Sequence, residues 1–287
     1  MKFFDMIFNR RKFATQKNMD RYKKYLQNKE LAKSTIEKYM RIIQILAAFL
    51  GGKPITKEAA IEWKKNMKKT HAPTSVNFMI VVANGFFRFL GLNIKLKEID
   101  IPLLSFAIDN RLFADGEVKK LLAAAKNKKS KRLYHIIQTL ISTGIRVTEL
   151  RFITVEALKK GEALIANKGR ARMVYLKKPL REELLGYAGG RGITSGCVFV
   201  TRSGKCVDRS NIWREIQNLC EAAEVEATKG HPHNFRRHFA AEFHRESRDI
   251  VKLAMLLGHV DIRTTMGYIR QIEAEIRQTM EAMEFMS

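Results

Sequence analysis

Apolar positions recur at helical spacing through most of the chain and break at glycines, prolines and capping residues. Between residues 15 and 92 this pattern predicts four short helices. Met19, Tyr22 and Leu26 share a face in the first. Ser34-Thr35-Ile36-Glu37 has capping-box spacing, in which hydroxyl and carboxylate satisfy each other's backbone N–H, and predicts the start of the second. Its inward stripe is Ile36, Tyr39, Met40, Ile43, Leu46, Ala47 and Leu50, stopped by Gly51-Gly52. Thr56 is expected to cap a third helix through Trp63 and Met67, with Lys64, Lys65, Lys68 and Lys69 on its polar side. After Pro73, Thr74 or Ser75 is expected to cap a fourth, with Val81, Val82, Phe86, Phe87 and Leu90 apolar and Gly91 at its end. Residues 93–111 lose the helical period and contain Pro102, which suits a linker, with Ile99, Ile101, Leu103 and Leu104 apolar enough to dock on a domain.

Residues 112–287 read mostly as helix with a small sheet. Asp115 is placed to cap a helix bearing Val118, Leu121 and Leu122, and a second, apolar helix from about Leu133 ends at Thr143-Gly144. The run 163–176 alternates as two β-prone segments around Asn167-Lys168-Gly169-Arg170, a turn-forming tetrad, and predicts a hairpin. A short helix is expected over Leu180–Tyr187, a loop over Gly189–Gly192, a strand over Cys197–Thr201 and a turn at Ser203-Gly204. A helix from about Asp208 carries Trp213, Ile216 and Leu219. The last segment, 272–285, has an apolar stripe of Ile272, Ile276, Met280 and Met283, suited to covering its own core or a groove on another copy. The fold class expected is mainly α with a small β-sheet. It divides into a basic extension (1–14), a helical domain (15–92), a linker (93–111) and an α+β domain ending in a helix (112–287).

Charge narrows the partner. The 287 residues hold 53 Lys and Arg against 29 Asp and Glu, a formal net charge of +24. Such an excess points to a polyanion, and nucleic acid before a membrane surface. No apolar run reaches membrane-spanning length, and the start, MKFFDMIFNRRKF, is too short and too interrupted for a signal peptide. Residues 1–100 carry 21 basic against 8 acidic side chains and the rest 32 against 21, so both halves are expected to reach the polyanion. Three cysteines without a C-x-x-C pair suit a reducing cytoplasm rather than a disulfide framework.

The densest chemistry lies between His231 and Arg270. Pro232 fits the first turn of a helix, which puts His233 and Arg236 on one face. His259 follows in Leu-Leu-Gly-His, and Tyr268 comes nine residues later behind Thr264-Thr265. A guanidinium fork matches a pair of phosphate oxygens, imidazole moves protons near neutral pH, and a phenol forms covalent intermediates when its surroundings help. Arg, His and Tyr without a carboxylate cluster point to phosphoryl transfer onto a protein oxygen. His231, His233 and His238 are close enough in sequence for a metallonuclease, but no Asp/Glu cluster or Cys pair completes such a site. Arg146 and Glu149 taken alone read as a surface ion pair worth about a few tenths of a kcal/mol.

These spacings together closely resemble the tyrosine recombinase (phage integrase) family: His-x-x-Arg, then Leu-Gly-His, then Tyr nine residues on. Thr143-Gly144-Ile145-Arg146-Val147-Thr148-Glu149-Leu150 resembles the family's Thr-Gly-x-Arg-x-x-Glu-Leu motif. Residues 15–92 look like its SAM-like core-binding domain, through Ser-Thr-x-x-x-Tyr and the closing Phe-Phe-Arg-Phe-Leu. The resemblance implies a site-specific DNA recombinase, Xer-like or from a mobile element, that works through a 3′-phosphotyrosyl intermediate with no cofactor and no metal. Its implied catalytic residues are Arg146, Lys168, His233, Arg236, His259 and Tyr268, with Glu149 in support. Lys168 sits in Asn-Lys-Gly where the family often has Gly-Lys-Gly. Lys64, Lys65, Lys68, Lys69, Arg170 and Arg172 are candidate DNA contacts. The implied partners are duplex DNA with short inverted-repeat core sites and further copies of the chain in a synaptic tetramer, in the cytoplasm and not at a membrane. A catalytically silent DNA-binding protein of the same fold is the alternative. It would be expected to have lost at least one of the six residues.

Overall fold

The computed structural model describes residues 13–101, 113–114, 116–127, 131–167, 170–268 and 280–281, with residues 167 and 170 described by backbone only. Its contacts divide the chain into two compact units, residues 1–105 and 106–287, with the boundary inside the expected linker.

Among the described residues the first unit holds four helices: α1 (Gln16–Asn28), α2 (Lys33–Leu50), α3 (Lys57–Thr70) and α4 (Pro73–Phe89). Met19, Tyr22 and Leu26 of α1 enter a core with Ile43, Leu46, Trp63, Phe86 and Phe87. Burying each such side chain contributes about 1.5–3 kcal/mol, which holds together helices too short to be stable alone. Thr56 caps α3 by accepting the N–H of Ala59 at 3.1 Å, and Gly51 closes α2 in the left-handed region at φ 54°. Two expected starts are corrected. The N-cap of α2 is Ala32, so Ser34 falls inside the first turn, and α4 begins at Pro73 with Ala72 as its N-cap. Pro73 wins over Thr74 and Ser75 because its ring fixes a helical φ and its missing N–H is not needed there. Val81 points outward, because the buried face of α4 runs through Val76, Ile80, Ala83 and Phe87.

Residues 93–101 dock on this unit. Leu96 is buried, with Ile94 and Ile99 packed beside it, while Ile101 is exposed. The Asn84 side chain exchanges two hydrogen bonds with the backbone of Leu96 (2.8 and 2.9 Å), and Asn77 does the same with Ile99 (2.7 and 2.8 Å). Leu103 and Leu104 lie outside the described residues.

The second unit holds α5 (Glu117–Asn127), α6 (Lys131–Thr143), a 3-10 turn (Val147–Phe152) and α7 (Val155–Lys160). The antiparallel hairpin β1 (Glu162–Asn167) and β2 (Arg170–Tyr175) follows, then α8 (Lys178–Gly189) and α9 (Arg209–Ala222). The chain continues through a second 3-10 turn (Ala227–Lys229) into α10 (Pro232–Ser247), α11 (Ile250–Leu257) and α12 (Ile262–Met266). Ile165 pairs with Arg172 and Asn167 with Arg170 in the hairpin. The core runs from Leu121 and Ile136 through Ile153, Leu184 and Phe199 to Phe235. Among the described residues the strand expected over Cys197–Thr201 is reduced to two isolated bridges, Thr154 with Cys197 and Val200 with Cys206. Trp213 is exposed on α9, since Ile212, Ile216 and Leu219 form the buried stripe and Trp213 sits one step around the helix. Asp115, Lys168, residues 1–12 and the terminal stripe apart from Met280 lie outside the described residues.

Candidate active site

Four local structures bring the candidate residues together. Gly144, at φ 62°, ends α6 and turns the chain into the 3-10 segment; a Cβ there would overlap the Phe239 ring. Arg146 is the N-cap of that segment, and its backbone N–H donates to Glu149 Oε2 at 2.8 Å. Pro232 opens α10 as expected, which places His233 and Arg236 one turn apart on the same side. Gly258, at φ 65°, ends α11, and the tight turn delivers His259, whose N–H donates to the carbonyl of Ala254. Asp261 caps α12 through the N–H of Arg263, and Tyr268 follows this one-turn helix.

Arg236 is fully buried. Its Nη1 donates to the carbonyl of Gly144 at 2.7 Å, and Nη2 to the carbonyl of Leu257 at 2.6 Å and to His259 Nε2 at 2.9 Å. Its Nε is buried without a partner among the described residues. Burial, and then the nearby Arg146 charge, lower its pKa to about 10, which leaves it protonated at neutral pH. Arg146 is the most open guanidinium of the cluster, with its side chain 41% exposed, and Nη1 donates to Glu149 Oε1 at 3.0 Å. It borders two clefts. One, of about 1400 Å³, also reaches Arg172 and His259; the other, of about 190 Å³, reaches His233 and Arg236.

Glu149 is 1% exposed. Burial alone would raise its pKa, but hydrogen bonds from Arg172 and from the backbone and side chain of Arg146 outweigh that and hold it below the usual value. The Arg172 fork meets both its oxygens, Nη1 to Oε1 at 3.1 Å and Nη2 to Oε2 at 2.6 Å. Three guanidiniums and one carboxylate therefore leave two positive charges uncompensated within this cluster.

The hydroxyl of Tyr268 lies 3.1 Å from His233 Nε2, and its ring packs edge-on to both His233 and His259. Tyr268 is 7% exposed and shares a small core with Ala240, Leu253 and Leu257. The pKa of each histidine is lowered to about 4: for His233 by burial and then the Arg237 and Arg236 charges, for His259 by burial and then the Arg236 and Arg146 charges. Both are neutral at pH 7. The tautomer of His259 follows from its neighbours. A guanidinium can only donate, so Nε2 accepts from Arg236 and the ring proton sits on Nδ1, which donates to Thr265 Oγ1 at 2.9 Å.

The structure thus gathers Arg146, Glu149, His233, Arg236, His259 and Tyr268 into one site. Lys168 and the Arg170 side chain lie outside the described residues, although their hairpin is described on both sides. Arg172, expected as a DNA contact, instead turns inward onto Glu149 with a side chain only 12% exposed. Lys64, Lys65 and Lys68 belong to the first unit and line a groove there, whereas Lys69 does not. Sequence reasoning missed Thr265 as the partner of His259; the only signal was its place in the Thr-Thr pair before the tyrosine. Among the described residues no three His, Cys, Asp or Glu side chains cluster to hold a metal ion. His231, one of the three histidines weighed as ligands, caps α10 by accepting the N–H of His233 at 3.3 Å. No helix among the described residues is long and apolar enough to cross a membrane.

Residues 111–275 match the model of the phage integrase family. Tyrosine recombinase XerA of Pyrococcus furiosus is 26% identical over 282 residues, covering 95% of this chain and 96% of its own. The fold is that of the Tn1549 transposon integrase solved with transposon right end DNA, with a TM-score of 0.71 at 17% identity over 91% of this chain and 98% of that one. It is also that of the XerH recombinase on its palindromic difH substrate, with a TM-score of 0.69 at 18% identity over 84% and 79%.

Proposed function

The chain belongs to the phage integrase family and is a tyrosine site-specific recombinase, and from that premise we propose that it cuts and rejoins DNA through a covalent bond between Tyr268 and a 3′-phosphate. The observation that carries this is the Tyr268 hydroxyl held against His233 Nε2 beside a cluster with two uncompensated positive charges. A phosphodiester carries about one negative charge and its five-coordinate transition state about two, so the cluster matches the transition state better than the ground state.

Tyr268 Oη attacks the phosphorus, the bond from phosphorus to the 5′-oxygen breaks, and a 3′-phosphotyrosine and a free 5′-hydroxyl result. Arg146 and Arg236 take the nonbridging oxygens; the unpartnered Nε of Arg236 supports this, since a phosphate oxygen would satisfy it. His233 accepts the phenol proton. With a pKa near 4 it is a weak base in the free protein, and an arriving phosphate adds the negative charge that makes it a stronger one. Lys168 protonates the leaving 5′-oxygen. Attack by a 5′-hydroxyl from another strand reverses the step, so the phosphodiester energy is conserved without a nucleotide cofactor. The sites are short inverted repeats on which a tetramer assembles, in Xer-type resolution or in the movement of a mobile element.

The test uses a nicked suicide duplex built on the sequence that the wild-type chain selects from a random library. Wild type is expected to form a covalent adduct in the presence of EDTA, and Tyr268→Phe to bind equally and form none. An adduct with Tyr268→Phe, or cleavage that needs a divalent ion while binding does not, would overturn the reading.

A further inference from the structure

We propose that Arg172 is a positioning residue that locks Arg146, His259 and the β1–β2 hairpin into one arrangement, and is not a contact to DNA. The inference rests on the recombinase reading above. The side chain starts on β2, two residues beyond the hairpin turn in register, where Arg172 faces Ile165 across the strands. Its head reaches two other elements. The fork holds both oxygens of Glu149, at 2.6 and 3.1 Å, and Nε donates to the carbonyl of Leu256 at 3.0 Å.

Each partner is one step from a residue with a proposed chemical role. Glu149 receives the backbone N–H and Nη1 of Arg146. Leu256 stands at the end of α11, three residues before His259. Between them Gly258 turns at φ 65° directly over the Arg172 stem, so that a Cβ on Gly258 would sit 2.8 Å from Arg172 Cδ. The stem therefore packs under the turn while the head fixes the carboxylate. One guanidinium thus sets the distance from the Arg146 side of the site to the His259 side, with the hairpin as its anchor.

The alternative is the phosphate contact expected from a basic hairpin. Three donors already engaged, a side chain 12% exposed and a bidentate pair with a buried carboxylate leave little for a backbone phosphate. Charge alone does not account for the geometry either: an ammonium on a flexible stem does not reproduce a planar fork plus a third donor.

Arg172→Lys and Arg172→Ala, confirmed as folded by thermal melting, are compared with wild type on a half-site duplex and on the suicide duplex above. Both variants are expected to keep the half-site Kd within about twofold and the salt slope unchanged, while the adduct rate at saturating protein falls by about 100-fold or more. Weaker half-site binding, a salt slope lower by about one and a normal rate at saturation would make Arg172 a DNA contact and overturn the proposal. Wild-type activity in the Lys variant would overturn it as well. A measurement on wild type covers the case of unfolded variants: the Nε–H proton of Arg172 is expected to be protected from solvent exchange with and without DNA, and fast exchange in the free protein would sink the idea. Absence of any adduct from wild type would instead refute the recombinase mechanism itself.

Discussion

His259 shows how one residue's protonation is written into its neighbours. Arg236 can only donate, so it fixes Nε2 as an acceptor, and Thr265, wholly buried, receives the proton on Nδ1. For His259 to donate from Nε2 to a phosphate, Nε2 must take up a proton and the Arg236 contact must give way. Thr265→Val keeps the volume but leaves the Nδ1–H unsatisfied, at a cost of about 1–3 kcal/mol. Its cleavage rate at saturating DNA is expected to fall roughly 10- to 100-fold, the scale on which orienting partners of a ligand histidine act. Thr265→Ser should recover most of it. Wild-type cleavage by Thr265→Val would show that the ring needs no such partner. Nitrogen NMR of the free protein should report the proton on Nδ1; a ring protonated on Nε2 would contradict the assignment.

At the scale of elements, α3 and the extended chain after α4 build a basic groove that their sequences hide. Lys57, Lys64, Lys65, Lys68, Lys95 and Lys97 line about 390 Å³ of space. Two of the lysines are tethered, Lys57 to the carbonyl of Lys95 at 2.6 Å and Lys64 to that of Lys97 at 2.5 Å. The lysine run on α3 was legible, but its partners 33 and 38 residues downstream were not. They arrive because Asn77 and Asn84 pin the extended segment to α4. If this groove grips a phosphate backbone, Lys64, Lys65 and Lys68 changed together to Gln should weaken DNA binding and flatten its salt dependence by roughly one unit of log–log slope per lost contact. Lys69→Gln, outside the groove, should not. An unchanged slope for the triple variant would remove the groove from the DNA interface. Cleavage at saturation should remain normal in either case.

For the molecule as a whole, the site is a source of instability at low pH. The folded pKa of His233 and of His259 lies near 4, below the ordinary 6.5, so the native state holds these rings neutral while the unfolded chain protonates them. Their contribution to stability is complete above about 6.5, is lost as pH falls from there, and stops changing below about 4. The melting temperature should therefore drop between pH 7 and pH 5 and drop less in a His233→Gln, His259→Gln double variant. Equal pH dependence in both proteins would show that the rings titrate normally when folded. DNA should oppose the loss, since a bound phosphate favours the protonated rings. The same cationic crowding that suits a transition state is unfavourable without an anion.

Local patterns and linked spacings were enough to reveal most of the elements and to nominate the residues that the fold brings into one site. Helical stripes, the cap Thr56, the closing glycines 51 and 144, and the hairpin around residues 168–169 act within a few residues of themselves, so their physics is written locally. Where the apolar stripe was read one step off, as at Trp213, packing against the rest of the chain decided which face was buried. The contacts of Arg172 and Thr265 lay beyond any local pattern. Whether a basic side chain on a strand faces solvent or a buried carboxylate depends on where residues 23 and 84 positions away are brought to lie. The protonation of His259 likewise waits on Arg236, on a helix 23 residues earlier, because a tautomer belongs to the donors and acceptors around a ring and not to the residue itself.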